Sequence, residues 1–202
     1  SLQEPEVTVD GRRVVMLSSS DVLGLSRHPR VVAAAAEATA RHGCASGSSR
    51  LIAGNHPLYE ELEAGLAEFK GPGSALVFST GYLANIGMIP ALVGDGDAVF
   101  SDALNHASIV DGCRLSRARI EVFSHGDPQS LEDALRRQAG ARRKLVIVDG
   151  VYSMDGDLAP LAAGTLRAFV KEGRHQGLLD DLLRGVHQTL TQAETMAMIR
   201  EK

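Results

Sequence analysis

The chain has 202 residues, 44% of them hydrophobic and 23% charged, which is ordinary for a soluble globular protein and enough for one good-sized core. A formal net charge of -4 offers no basic surface to nucleic acid, and no run of like charges forms a tail. No stretch reaches the roughly 18 to 20 uninterrupted apolar residues of a membrane helix and no basic-then-apolar signal opens the chain, so no membrane partner and a cytoplasmic location are expected. Cys44 and Cys113 are far apart and lack metal spacing, which predicts buried free thiols.

A short β-like stretch is expected around Val14 to Leu17, then a loop at Ser18-Ser19-Ser20-Asp21. Pro29 suits a first helical position and opens an alanine-rich helix running to Arg41, with Gly43 just beyond its end. Residues 44–55 are small and polar and read as a loop. Pro57 starts a second helix, with Leu58, Leu62, Leu66 and Phe69 at helical spacing, Glu60 and Glu61 in the favourable first turn, and Gly71 ending it.

Strands and helices then alternate: strand runs at 75–79, 98–101, 120–123 and 145–148, with helices at 82–92, at 106–115 and after Asp127-Pro128. Apolar runs without alternation indicate strands covered on both faces, and intervening helices make βαβ crossovers, so the expected core is a doubly wound α/β sheet. Past Pro160, Leu166, Phe169 and Val170 suggest one helix, and Leu178, Leu179, Leu182, Leu183, Val186 and Leu190 mark another, with no further strand.

The chemistry gathers where strands end, which is where open α/β sheets build ligand sites. Ser79-Thr80-Gly81-Tyr82 passes from a strand into a helix, so its backbone N–H groups and the helix dipole suit a phosphate dianion; a tight turn that needs glycine gives the same pattern. His106 follows the next strand, placed either to stack on a flat ligand and move a proton or simply to cap a helix. The loop 149–157 is rich in acids but does not follow the spacing of a calcium loop, so no metal is expected there, and the Ser153 hydroxyl is read as a donor to an anionic ligand.

Five segments, residues 20–29, 46–55, 78–85, 101–112 and 148–157, occur in one order and spacing. Through them the chain resembles the α-oxoamine synthases, a family of enzymes that use pyridoxal 5′-phosphate (PLP), over nearly everything from Arg13 to Leu161. The resemblance implies a partial fold type I PLP-transferase large domain in residues 1–161, a doubly wound, mainly parallel sheet with flanking helices, and a helical tail at 162–202 that does not match the family. It implies PLP as cofactor, with Gly81 and Tyr82 near its phosphate, His106 stacked on its ring beside the substrate, and Ser153 near its phenolic oxygen. The partners it implies are an amino acid, an acyl-CoA and a second copy of the chain, with residues 46–55 shaping the site near the dimer interface. The family reaction joins amino acid and acyl group with loss of CO2, as in the biotin-pathway condensation of alanine with pimeloyl-CoA; the glycine and serine branches are not separated by these segments.

The departures are as specific. Ser20-Asp21-Val22 stands where the family usually has Asn-Asp-Tyr, and no Asp-Glu-Ala-His or Ser-x-x-Lys segment follows Leu161. None of Lys70, Lys144, Lys171 and Lys202 matches the lysine that holds the cofactor. His106 is thus retained without a complete catalytic set, and a truncated chain, inactive alone and binding PLP weakly or not at all, is the expectation beside the enzyme.

Overall fold

The computed structural model describes residues 6–21, 23–71 and 73–159. The expected helices past Pro160 lie outside the described residues. Contacts divide the chain into two units, Ser1–Phe69 and Lys70–Lys202.

In the first unit, β1 (Glu6–Val9) and β2 (Arg12–Val15) form an antiparallel hairpin in which Val9 faces Arg12. This corrects the expectation of a lone β-like stretch at Val14 to Leu17. The turn is Asp10-Gly11, with φ of 49° and 76°, and two consecutive positive φ angles are the left-handed pair whose twist matches that of a two-residue hairpin. α1 (Pro29–His42) begins at Pro29 and ends on Gly43, whose N–H donates to the Thr39 carbonyl at φ 81°. α2 is Pro57–Lys70. Between them Arg50 fixes the small polar loop: it grips Glu63 at 2.6 and 3.0 Å, donates to Asn55 Oδ1 at 2.9 Å, and lies 4.6 Å over the Tyr59 ring. Cys44, on this loop, is free but exposed rather than buried, because a loop of small residues has no apolar face to draw it inward.

The second unit contains α3 (Gly81–Leu92), β3 (Ala98–Asp102), α4 (Ala107–Leu115), β4 (Arg119–Phe123), α5 (Pro128–Arg137) and β5 (Lys144–Ile147). The three strands are parallel in the order β4-β3-β5. Successive side chains of β3 point to opposite faces. Val99 packs with Ile89 of α3, with Val93 at its C-cap and with Ile109 and Cys113 of α4, while Ala98 and Phe100 pack with Phe123 and with Ala134 and Leu135 of α5. Helices therefore cover both faces, as a doubly wound sheet requires. Cys113 is buried as expected, and burial pushes its thiol up to about 11.

Two strand expectations differ. Only β3 is buried along its whole length; β4 leaves Ile120 39% and Val122 61% exposed, since it lies at the edge of the sheet among the described residues. The apolar run at 75–79 belongs to no sheet among the described residues. Apolar composition makes a strand possible, but the ladder comes from a neighbour.

The entrance to β3 is held by charge. Asp97 is buried, receives the Gly94 N–H at 2.9 Å, and takes Arg142 on both oxygens at 2.9 and 3.1 Å. The Arg142 guanidinium, with the Gly94 N–H second, holds the Asp97 carboxyl at about 2, below its ordinary 3.8. A lowered folded-state pKa contributes stability that is complete above the ordinary value and is lost as pH falls through the lowered one. Melting followed by circular dichroism should therefore show Asp97→Asn less stable than the wild type near neutrality, with the two curves converging as pH drops from about 4 to about 2. A constant gap across that window would show that the Asp97 charge contributes nothing.

Candidate active site

Because β3, β4 and β5 are parallel, their carboxyl ends lie at one edge, where Asp102, the turn carrying His125, and Asp149 emerge. α3 and α4 run back from this edge, so their N-termini open there as well. The expected site residues fall on these ends.

Thr80 caps α3: its Oγ1 accepts the Leu83 N–H at 3.0 Å and its carbonyl accepts the Ala84 N–H. Helix geometry leaves the N–H groups of Gly81 and Tyr82 without intrahelical partners. A Cβ built on Gly81 would have no atom within 4 Å, so this backbone is open to an approaching group. Tyr82 is 45% exposed and its hydroxyl donates to Asp111 Oδ2 at 2.8 Å, which fixes the direction of its ring. That hydrogen bond, followed by burial, pushes its phenol up.

His106 is the N-cap of α4. Its Nδ1 lies 3.1 Å from the Ser108 N–H and 2.7 Å from Ser108 Oγ. A backbone N–H can only donate, so Nδ1 accepts and the ring proton of the neutral imidazole sits on Nε2. Asn85 Nδ2 donates to Ser108 Oγ at 2.9 Å, leaving the Ser108 hydroxyl proton for His106. On its other side, the His106 N–H donates to Asp149 Oδ2 at 2.8 Å. Asn105 joins the two strand ends, with its Nδ2 on the Ile147 carbonyl at 2.7 Å and its Oδ1 accepting the Asp149 N–H at 3.0 Å. One polar chain thus runs from α3 through α4 to the end of β5 and leaves an exposed imidazole as an Nε2–H donor. Of the alternatives that the sequence leaves open, the capping role is the one observed: His106 caps α4 and is exposed.

Ser153 is exposed on the turn after β5. That turn carries Tyr152, which is 2% exposed, and Asp157, and both approach His125. Asp102 anchors the group: burial raises its carboxyl, but the N–H groups of Leu104 and Gly126 and the His125 ring outweigh burial and hold it below the ordinary range.

The expected residues Gly81, Tyr82, His106 and Ser153 therefore share one edge of one unit. Asn85, Ser108 and Asp149, which hold His106, and the neighbouring group of Asp102, His125 and Asp157 are given no individual role by the sequence. Five of them lie within the segments 78–85, 101–112 and 148–157, while His125, outside those segments, is marked only as a histidine two residues after an apolar run. Two surface depressions, one in the first unit along Leu25, His28 and Val31 and one in the second beside Asp95, Arg117 and Arg137, are lined by none of these residues.

The model of the family described as aminotransferase class I and II matches residues 12–180. The chain belongs to this family. It is 56% identical over 161 residues to the 8-amino-7-oxononanoate synthase of Geobacter sulfurreducens, covering 80% of the chain and 41% of that relative. Against the enzyme of the same name from Anaeromyxobacter it is 56% identical over 161 residues, covering 80% and 40%. Among solved structures, the Sphingomonas wittichii serine palmitoyltransferase superposes with a TM-score of 0.74 at 41% identity, covering 78% of the chain and 39% of its own. A serine palmitoyltransferase variant from S. paucimobilis, bound to PLP and myriocin, superposes at 0.77 with 39% identity, covering 83% and 43%. The chain spans about two fifths of the length of the curated relatives it matches. The resemblance to PLP-transferases of fold type I stands, with a parallel sheet flanked by helices. Among the described residues no helix is long and apolar enough to cross a membrane.

Proposed function

We propose that this chain forms the phosphate-and-ring side of a PLP site in an acyltransferase that condenses an amino acid with an acyl-CoA, of the 8-amino-7-oxononanoate synthase type. The observation that carries the assignment is the 56% identity to the Geobacter enzyme across the segment that supplies the strand-end residues. Those residues also fit the group. The open N–H groups of Gly81 and Tyr82 at a helix N-terminus suit a phosphate, the exposed His106 ring suits a flat heterocycle, and the Ser153 hydroxyl suits a phenolic oxygen. When bound, PLP supplies an electron sink for breaking bonds at the α-carbon of an amino acid. The chain's own residues hold the phosphate, orient the ring through the Asn85–Ser108–His106 relay, and keep a proton on His106 Nε2 beside the substrate.

The 202 residues alone do not complete this chemistry, because they contain no segment like Asp-Glu-Ala-His or Ser-x-x-Lys. With alanine, glycine or serine and an acyl-CoA, release of CoA should match a buffer-plus-PLP control. The second copy that the family likeness implies is tested by sedimentation.

The cofactor assignment is tested by calorimetric titration with PLP and with pyridoxal. PLP should bind more tightly than pyridoxal, which lacks the phosphate. His106→Ala should weaken PLP binding by roughly fivefold, from a ring contact on the order of 1 kcal/mol. Gly81→Val should weaken it more, because a β-branched side chain there blocks the approach to the backbone. Equal affinities for the two ligands, or indifference to both substitutions, would remove the assignment.

A further inference from the structure

His125 lies in the turn after β4 and has no part in the cofactor site as described. Its Nδ1 is 2.9 Å from Asp102 Oδ1 and its Nε2 is 2.5 Å from Asp157 Oδ2. Carboxylates accept and do not donate, so both contacts are satisfied only when both ring nitrogens carry protons, which makes the ring an imidazolium. Asp102 is fixed at the end of β3, where it also accepts the Leu104 and Gly126 N–H groups at 2.8 and 3.0 Å. Asp157 closes the turn after β5. The Tyr152 N–H donates to the Asp157 carbonyl at 2.9 Å, the Gly156 N–H donates to the Tyr152 carbonyl at 2.7 Å, and Val151 bridges Leu158. The Tyr152 ring meets the His125 ring edge-on at 4.4 Å. Ser153 sits between these anchors.

We propose that His125 is a positioning residue: as the imidazolium bridging Asp102 and Asp157, it latches the turn that bears Ser153 onto the carboxyl end of the sheet. The value of the latch to catalysis rests on the reading of Ser153 as a cofactor contact; the latch itself does not. The groups facing His125 among the described residues are Asp102 from β3 and Tyr152 and Asp157 from the turn. Burial, then the charge of Asp102, pushes the Tyr152 phenol up, so Tyr152 stays neutral and His125 is the group whose proton is lost as pH rises. The Asp157 hydrogen bond, then that from Asp102, raises the imidazole above its ordinary 6.5. The latch is therefore complete below that ordinary value and is released as pH rises through the raised one.

The test is amide hydrogen exchange of the 202-residue chain from pH about 5.5 to about 8.5, corrected for intrinsic rates, with the side-chain nitrogens of His125 followed by NMR. Protection of the Tyr152 and Gly156 amides should fall roughly tenfold or more as His125 loses its proton, the scale expected for charged hydrogen bonds. His125→Gln should lower protection at the acid end and abolish its pH dependence, and Asp157→Asn should do the same without disturbing Asp102. Wild-type protection that ignores the His125 titration, or a neutral single-tautomer ring at pH about 6, overturns the latch without reference to any variant. PLP affinity, compared at one pH, separates the two ideas. If the exchange result holds and His125→Gln also weakens PLP binding, both stand. If exchange holds and PLP affinity ignores His125→Gln while still responding to Gly81→Val, the latch stands and Ser153 is removed from the cofactor contacts.

Discussion

Phe100→Ala should destabilise the unit containing the sheet by about 3–5 kcal/mol, the cost of emptying a well-packed aromatic site. Phe100 is 0% exposed on the central strand, and its face is shared with Ala98, Phe123, Ala134 and Leu135. Two of those neighbours are alanines, whose single methyl groups cannot swing in to fill the space, so the site collapses poorly. Against a total of about 5–15 kcal/mol for a typical domain, the loss is a large share. Urea denaturation followed by circular dichroism should show an earlier midpoint with an unchanged slope. A loss below about 1 kcal/mol would mean that α5 closes onto β3 far more readily than its packing implies.

Gly112→Ala should damage both stability and the site. A Cβ at Gly112 would lie 2.8 Å from Ile89 Cδ1 and 2.9 Å from the Asn85 carbonyl oxygen. The isoleucine methyl has some freedom, whereas the Asn85 carbonyl belongs to the backbone of α3, so the helices must separate. Overpacking of this kind costs about 1–3 kcal/mol. The same displacement carries Asn85 away from Ser108 and loosens the relay that sets the His106 tautomer. The variant should therefore melt earlier and lose the upfield-shifted acceptor signal of His106 Nδ1 in nitrogen NMR. Unchanged melting together with an unchanged His106 spectrum would show that α3 and α4 tolerate a methyl at Gly112.

Much of this protein was settled locally. Pro29, Pro57 and Asp127-Pro128 start helices because proline fits a first helical turn and a preceding Asp can cap it, interactions that act within a few residues. Asp10-Gly11 carries a hairpin signal of the same local kind, and the hairpin there was legible to anyone weighing that dipeptide. The five segments determined the family likeness, and the placement of His106 and Ser153 after strand ends followed from the alternation of apolar runs with helices, whereas Gly81 opens α3 after a run that joins no sheet among the described residues.

Tertiary structure decided what those residues face. His125 meets Asp157 across 32 positions, Asn85 meets Ser108 across 23, and Asn105 meets the Ile147 carbonyl across 42. The first and last of these pairs exist because β5 inserts beside β3 on the side away from β4, an order that the sequence does not state, and the second because α3 and α4 pack together on one face. The exposure of β4 and the lack of a ladder at 75–79 have the same origin. Propensity and capping act along a few residues of chain, whereas burial, tautomer and charge pairing depend on which elements become neighbours, and that is settled only when the whole sheet closes.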